Sequence, residues 1–502
     1  MDVLLVERGR HDWPADYALS WNVLGRAAAS IGIRALSSDA ADAAAAPRNG
    51  IAWQILWCMT ERCTHVDART WDYPASLAAM TPGQVFNHVP GMRALTSPDA
   101  LANISDALAA IEPRARITPE THIVNFNGTS NDARFERAFD AHAPGSRASK
   151  PGTWILKKYT RRAATAHSPP PQVRDLTRIL LRSDQPHLLP KSGLWLAQRY
   201  IANPLLVDGR KFTLRLYVLV ASVRPLRVYV HKRGLAVFAA TRFAAPRHDH
   251  AADLAAHVTS ERDAAERDRH RTDAGQETLN TWSVSSLLAS LARSGENVGL
   301  LRHRLAVLFA RLALSAEPTL AEHAAAARMR GGGGSSANTQ PPQRRRPRTV
   351  ELVAADVGVD ATLRPWLLSL SESVPNLQAE TALLRDTKQA VAADMLSLIG
   401  ANQRISMLAG AAAANAATRV RSLANSSLAQ ALADDAGAAH ARAELLLREA
   451  EEEQVVKGDF AMVWPSEDPV HPDIQKLTER HGTAIGAEDA LLLEWTKRRF
   501  AV

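Results

Sequence analysis

Four charged side chains stand out because strand-like apolar runs deliver them. Lys157 ends the apolar part of "TWILKKY", Lys211 and Arg215 lie in "KFTLRLYVLVAS", and Asp356 interrupts "ELVAADVGV". Downstream, "RPWLLSLS" places Ser369 and Ser371 after an apolar run. With Asp360 to Leu363 as the turn, the last two runs form a hairpin in which Asp356 lies opposite Leu367. Ser369 is then the diagonal neighbour of Asp356 on the same face, about 7–8 Å away, and Ser371 lies one step further. By strand parity Glu351 and Glu372 point to the other face unless a bulge re-aims one. Cations from several strands facing an acid on a hairpin suit a nucleoside triphosphate with Mg²⁺, which takes oxygen ligands from one or two carboxylates, phosphates and water.

These side chains need a sheet to carry them. Leu214, Leu216, Val218 and Val220 alternate with Arg215 and Tyr217, the period of two of a sheet with distinct faces. "THIVNF", "TWILKKY", "LWLAQRYI" and "LRVYVHKRGLAVFA" read as further strands, and Asp132 to Ala143 as a helix between the first two. Before them, "MDVLLVERG", a helix over "YALSWNVLGRAAASIGI", the strand "IAWQILWCM" and a helix from Leu101 to Ile111 compose an N-terminal α/β unit. After them come helices at 283–292, 301–314 and 379–399. An Ala-rich helical region then ends in "AELLLREAEEEQ", whose acids suit the solvent face of an amphipathic helix packed on the core. Gly, Ser, Pro and Arg between about 323 and 349 mark a disordered insertion. The expected organisation is an N-terminal α/β domain over 1–115, lobes over 116–200 and 201–400, and a helical region over 401–502.

The chain has 502 residues and a net charge of +8, which favours an acidic partner and excludes none of nucleic acid, anionic membrane surface or acidic protein tail by itself. No apolar run reaches the length of a membrane span, and no nucleic-acid signature accompanies the charge. Cys58 and Cys63 lack CxxC spacing, His65 completes no zinc set, and the pair reads as two buried thiols in a reducing compartment.

"AQRYIANPLLVDGRKFTLRLYVLVASVRPLRVYVHKRGLAVFA" resembles the central signature of the tubulin–tyrosine ligase-like family. In the family's order, "NHVPGM", "ITPET", "WILKK", "HVTS", "ELVAADVGVDATLRPWLLSLS" and "KGDFAMVWP" resemble further elements of it, over about 50 to 466. The resemblance implies an α+β, ATP-grasp-like core that clamps ATP with Mg²⁺ between lobes and ligates an amino acid to tubulin tails. Carried across by position, Lys157 binds phosphate, Gln198, Arg199 and Tyr200 flank the adenine, and Lys211, Arg215, His257 and Thr259 complete the nucleotide site. Asp356 takes the place of a metal-binding acid.

Other positions depart from the pattern. Thr213 replaces an Asp, Val237 an Arg, Ser260 an Asn, and Ser369 and Ser371 the Glu and Asn that complete the metal site. The segment "YTRRAATAH" has no glycine where the family has a glycine-rich lid, and Ser97 or Pro98 stands for a lysine. Losing one electrostatic stabiliser costs about 10²–10³ in rate. The expectation is therefore a pseudoenzyme that binds tubulin, microtubules or another acidic partner in the cytoplasm and cytoskeleton, the axoneme of a cilium or flagellum included. The alternative is an active ATP-dependent ligase adding glutamate, glycine or tyrosine to tubulin tails. A weaker alternative is a scaffold in a ribonucleoprotein.

Overall fold

The computed structural model describes residues 3–6, 16–37, 54–58, 63–66, 69–71, 80, 83–126, 153–158, 177–181, 190, 192–245, 254–259, 264, 280–330, 348–371, 381–400, 416–468, 472, 476, 479 and 486–500. Three main sheets organise them. The N-terminal sheet is parallel, with Val3–Val6 between Arg34–Ser37 and Ile55–Trp57, then Val85–Phe86 and finally Arg348–Thr349. The helix Asp16–Ser30 connects its first two strands. A four-stranded antiparallel sheet follows, ordered Thr121–Asn125, Leu194–Arg199, Thr153–Lys158, Thr177–Leu181.

The largest sheet is built on the 14-residue strand Arg210–Val223. Along one edge it pairs with Leu235–Phe238 and with Leu226–His231, and along the other with Glu351–Val359. Pro365–Leu370 extends the second edge, and Phe460–Trp464 joins Leu226–His231. Alternation along the long strand separates two cores. Leu214, Leu216, Val218 and Val220 share a cluster with residues of the helices Val284–Arg293 and Val298–Arg330. Tyr217, Leu219 and Ala221 share another with residues of Asp16–Ser30, Ala382–Leu398, Ala436–Val456 and Ala487–Phe500. Lys211, Thr213 and Arg215 have the parity of the second set but are not members of its cluster. Gly234 is required where the chain enters Leu235–Phe238, because a Cβ there would meet the Arg215 carbonyl oxygen at 2.6 Å.

Several expectations change. The helix expected over 301–314 runs from Val298 to Arg330, since its Ala-rich second half has high helix propensity. Both ends of the insertion expected at about 323–349 are regular structure instead: helix reaches Arg330 and strand resumes at Arg348, while 331–347 lie outside the described residues. So does the helix expected over 132–143. Cys58 is buried and disulfide-bonded, against the expectation of two reduced thiols. The helix Ala436–Val456 buries two of its acids, Glu451 and Glu453. Arg227, Arg348 and Tyr229 engage Glu453, while Arg419, Arg499 and Trp495 engage Glu451, so part of the chain's arginine neutralises internal carboxylates. Among the described residues no helix is long and apolar enough to cross a membrane.

Candidate nucleotide site

Lys157 and Gln198 lie on adjacent antiparallel strands with Lys157 paired to Leu196, so Gln198 is its diagonal neighbour. The Lys157 ammonium donates to Gln198 Oε1 at 3.2 Å, and the Gln198 amide donates to Thr121 Oγ1 at 3.2 Å. Thr121, the last residue of "ITPET", is a site residue that the role-by-role reading missed, although the motif pointed at it.

Lys211, the second residue of the long strand, has its ammonium 4.4 Å from the centroid of the Tyr200 ring. It donates to the His257 carbonyl oxygen at 3.1 Å and to the Tyr200 hydroxyl at 3.4 Å. That hydroxyl also shares a hydrogen bond with His257 Nδ1 at 2.9 Å. Burial pushes the Tyr200 phenol above its usual value. Burial also pulls the Lys211 ammonium down, to about 7, and the nearby Lys157 charge adds to the effect. Lys157 is lowered too, by burial, with the Asp356 carboxylate opposing. Next along the strand, Thr213 Oγ1 contacts Thr259 Oγ1 at 2.6 Å. Among the residues expected here, Lys157 thus meets Gln198, Lys211 meets Tyr200 and His257, and Thr259 meets Thr213, a position where the family pattern has an acid.

Arg199 does not join them. Strand alternation turns it away from Gln198, and its guanidinium sits 5.9 Å from the Trp154 ring. Arg215 is re-assigned as well. Rather than an open cation, it holds Asp356 through Nε to Oδ1 at 2.9 Å and Nη2 to Oδ2 at 3.0 Å. Both side chains of this fork are a little over a quarter exposed. Burial alone would raise Asp356, but Arg215, the Ser369 hydroxyl and Lys157 together hold it below the usual carboxylate range.

The hairpin register differs from expectation in two ways that restore parity. The turn has five residues, Asp360 to Arg364, so Val359 pairs with Pro365, and the register shifts again between Asp356 and Val357. Asp356 consequently faces Ser369 directly, whose hydroxyl donates to Asp356 Oδ2 at 2.9 Å. Ser371 Oγ is turned back onto the backbone, accepting from Ala354 N at 2.8 Å. Glu351 points away, as parity requires, into a buried contact with His88 and the Val89 amide. Val237, where the family pattern has an arginine, is packed with Leu235, Ala264 and Leu384. Ser260, Glu372 and the segment 159–167 lie outside the described residues.

Two lysines with lowered affinity for their protons, Lys211 buried and Lys157 half-buried, beside neutral donors and acceptors, fit a polyphosphate. A divalent cation fits poorly. Among the described residues Asp356 is the carboxylate here, Arg215 already engages both its oxygens, and Ser369 adds one neutral ligand. A grouping of metal-ligating type, His231 with Asp394 and Asp459, lies elsewhere. There Asp394 Oδ2 is bonded to His231 Nε2 and the Asp459 amide, and Arg233 holds Asp459.

Residues 76–406 match the model of the tubulin-tyrosine ligase family. A probable beta-tubulin polyglutamylase of Tetrahymena thermophila is 26% identical over 334 residues, 65% of this chain and 25% of that protein. Tubulin polyglutamylase TTLL5 of Homo sapiens is 31% identical over 211 residues, 41% of this chain and 15% of that protein. Tubulin polyglutamylase TTLL6 of Homo sapiens is 26% identical over 335 residues, 65% of this chain and 33% of that protein. The matched part of the chain thus spans a third or less of each of these relatives.

Proposed function

Because the chain belongs to the tubulin-tyrosine ligase family, and its α+β core is ATP-grasp-like, we propose that it is an ATP-dependent ligase that joins an amino acid to the acidic tails of tubulin. The relatives' names, all polyglutamylases, favour glutamate as the amino acid, tubulin as the partner, and action on the cytoskeleton in the cytoplasm. They support this reading over the pseudoenzyme expected from the substituted positions.

The observation that carries it is the pair of half-buried Lys157 and buried Lys211. Two like charges kept out of water near each other disfavour their own protonation, and a bound polyphosphate reverses that penalty. When bound, ATP supplies the activation: an acceptor carboxylate takes the γ-phosphoryl group with release of ADP, and the incoming amine then displaces phosphate from the acyl carbon. The residues of this chain hold and orient. Lys157 and Lys211 balance phosphate charge, Gln198 with Thr121 fixes Lys157, and the Tyr200–His257 contact fixes Lys211. The ligand set that the described residues offer does not fit Mg²⁺, and none of these roles runs through it.

A second reading, a nucleotide-binding module without turnover, is favoured by one observation: Arg215 and Ser369 close Asp356 where the family pattern has an open acid beside Glu and Asn. Titration calorimetry of the chain with ATP, with and without Mg²⁺, tests the site. The proposal expects binding that is lost in Lys157→Ala and Lys211→Ala; absence of binding under both conditions removes it.

A further inference from the structure

A second cationic site lies on the other side of the largest sheet. Between the helix Val298–Arg330, the segment 112–117 and the hairpin turn is a cavity of about 410 Å³. Arg114, Arg116, Arg304, Arg311, Arg364 and Lys476 line it, and Glu112 is the acid among its lining residues. Leu214, Leu216 and Val218, which face this helix layer, alternate with Lys211, Thr213 and Arg215, so the cavity does not belong to the nucleotide site.

Its guanidinium groups donate largely to neutral carbonyls. Arg364 Nη2 reaches the Arg116 oxygen at 3.0 Å and the Arg114 oxygen at 3.4 Å; Arg311 reaches the Arg114 oxygen at 3.4 Å, and Arg304 the Thr362 oxygen. Two acids stand at the margin. Asp106 pairs with Arg116 at 2.7 Å, and Asp360, the nearest counter-charge to Arg364, is committed to Thr362 and Trp366. Arg364 is fixed by stacking 4.0 Å from the Trp366 ring centroid. Burial and the neighbouring charges of Arg311, Arg116 and Arg304 lower its proton affinity despite Asp360. Forked donors held in fixed directions, with an excess of positive charge, match several carboxylates presented together. No aromatic side chain is among the described residues that line the cavity, so it offers no stacking platform of the kind that holds a nucleotide base.

We propose that this cavity binds consecutive glutamate side chains of an acidic peptide, tethering the tail whose carboxylates are presented to the ligase site. Its identification with a tubulin tail rests on the proposed function; the charge argument does not. The test is fluorescence anisotropy of a labelled octaglutamate peptide with the full chain, beside Arg304→Ala/Arg311→Ala and the more exposed Lys476→Glu. The expected result is at least about a tenfold loss of affinity in the double variant and a smaller loss in Lys476→Glu, with ATP titration unchanged in both. Raising salt from about 50 to 200 mM weakens binding to the unmodified chain. Peptide binding equal in all three proteins overturns the proposal. So does an octaglutamine peptide binding as well as octaglutamate, or inorganic tripolyphosphate occupying the cavity in preference to the peptide. A chain that binds octaglutamate here but transfers no amino acid keeps this inference and loses the ligase reading. Unchanged KM for tubulin in a working ligase carrying the double variant does the reverse.

Discussion

At Lys211 burial and a neighbouring positive charge act in the same direction. The ammonium has left water for a site walled by Tyr200 and His257, and Lys157 repels it, which brings its pKa to about 7. A bound polyphosphate favours the charged form, so the bound pKa lies above the free one. Affinity is then fully present below about pH 7 and is lost as pH rises through the bound value, by up to about tenfold per unit for one linked proton. Calorimetry of ATP binding between about pH 7 and 9 should show proton uptake in buffers of different ionisation enthalpy. Lys211→Gln should bind more weakly and lose that dependence; a pH-independent affinity in the unmodified chain would remove the role. Asp489 works in the opposite direction, through folding. Burial raises its pKa to about 6, despite the Leu226 amide it accepts at 2.7 Å. An acid whose folded pKa exceeds the unfolded value of about 4 stabilises fully below that lower value. It costs the fold progressively as pH rises through about 6, about 2–3 kcal/mol at the plateau. Asp489→Asn should therefore raise the unfolding midpoint at about pH 8 and leave it unchanged or lower at about pH 4.

At the scale of elements, the long strand was legible because its period of two is uninterrupted from Leu214 to Val220, and both faces are apolar wherever helices cover them. The hairpin was legible in existence and in parity but not in register. A five-residue turn and one bulge each shift pairing by a single residue, and Asp360 stabilises that turn with hydrogen bonds from Thr362, Arg364 and Trp366 that no periodicity announces. The two shifts put Ser369 against Asp356 on the expected face, at contact distance rather than diagonally. Arg215 was misjudged for a related reason. Its parity was right, but the cross-strand partner that neutralises it, Asp356, comes from 141 residues away. Arg199 was misplaced by taking three consecutive residues as one surface, when a strand sends neighbours to opposite faces. The buried acids Glu451 and Glu453 escaped for want of any local sign that arginines from distant segments would meet them.

Across the whole molecule, the N-terminal sheet and the largest sheet are joined by polar contacts that the sequence offered only as a family motif. In "NHVPGM", the Asn87 side chain exchanges two hydrogen bonds with the Cys58 backbone, at 2.7 and 2.8 Å. His88 spans from the Cys58 oxygen at 3.0 Å to Glu351 at 3.3 Å, and the Glu351 carboxylate also accepts from the Val89 amide at 2.8 Å. Removing one partner of such a buried set costs about 3–5 kcal/mol. Glu351→Ala should lower the denaturant midpoint accordingly, and a change below about 1 kcal/mol would show that the junction is not structural. The same junction holds Glu351–Val359, and with it Asp356, in register against Arg215. The most direct test of the account is transfer itself: the full chain incubated with microtubules, ATP and labelled glutamate, beside Lys157→Ala and Lys211→Ala. The account predicts ATP-dependent incorporation into tubulin tails that both variants abolish. Tight ATP binding with no incorporation of glutamate, glycine or tyrosine would contradict it and leave the nucleotide-binding module in its place.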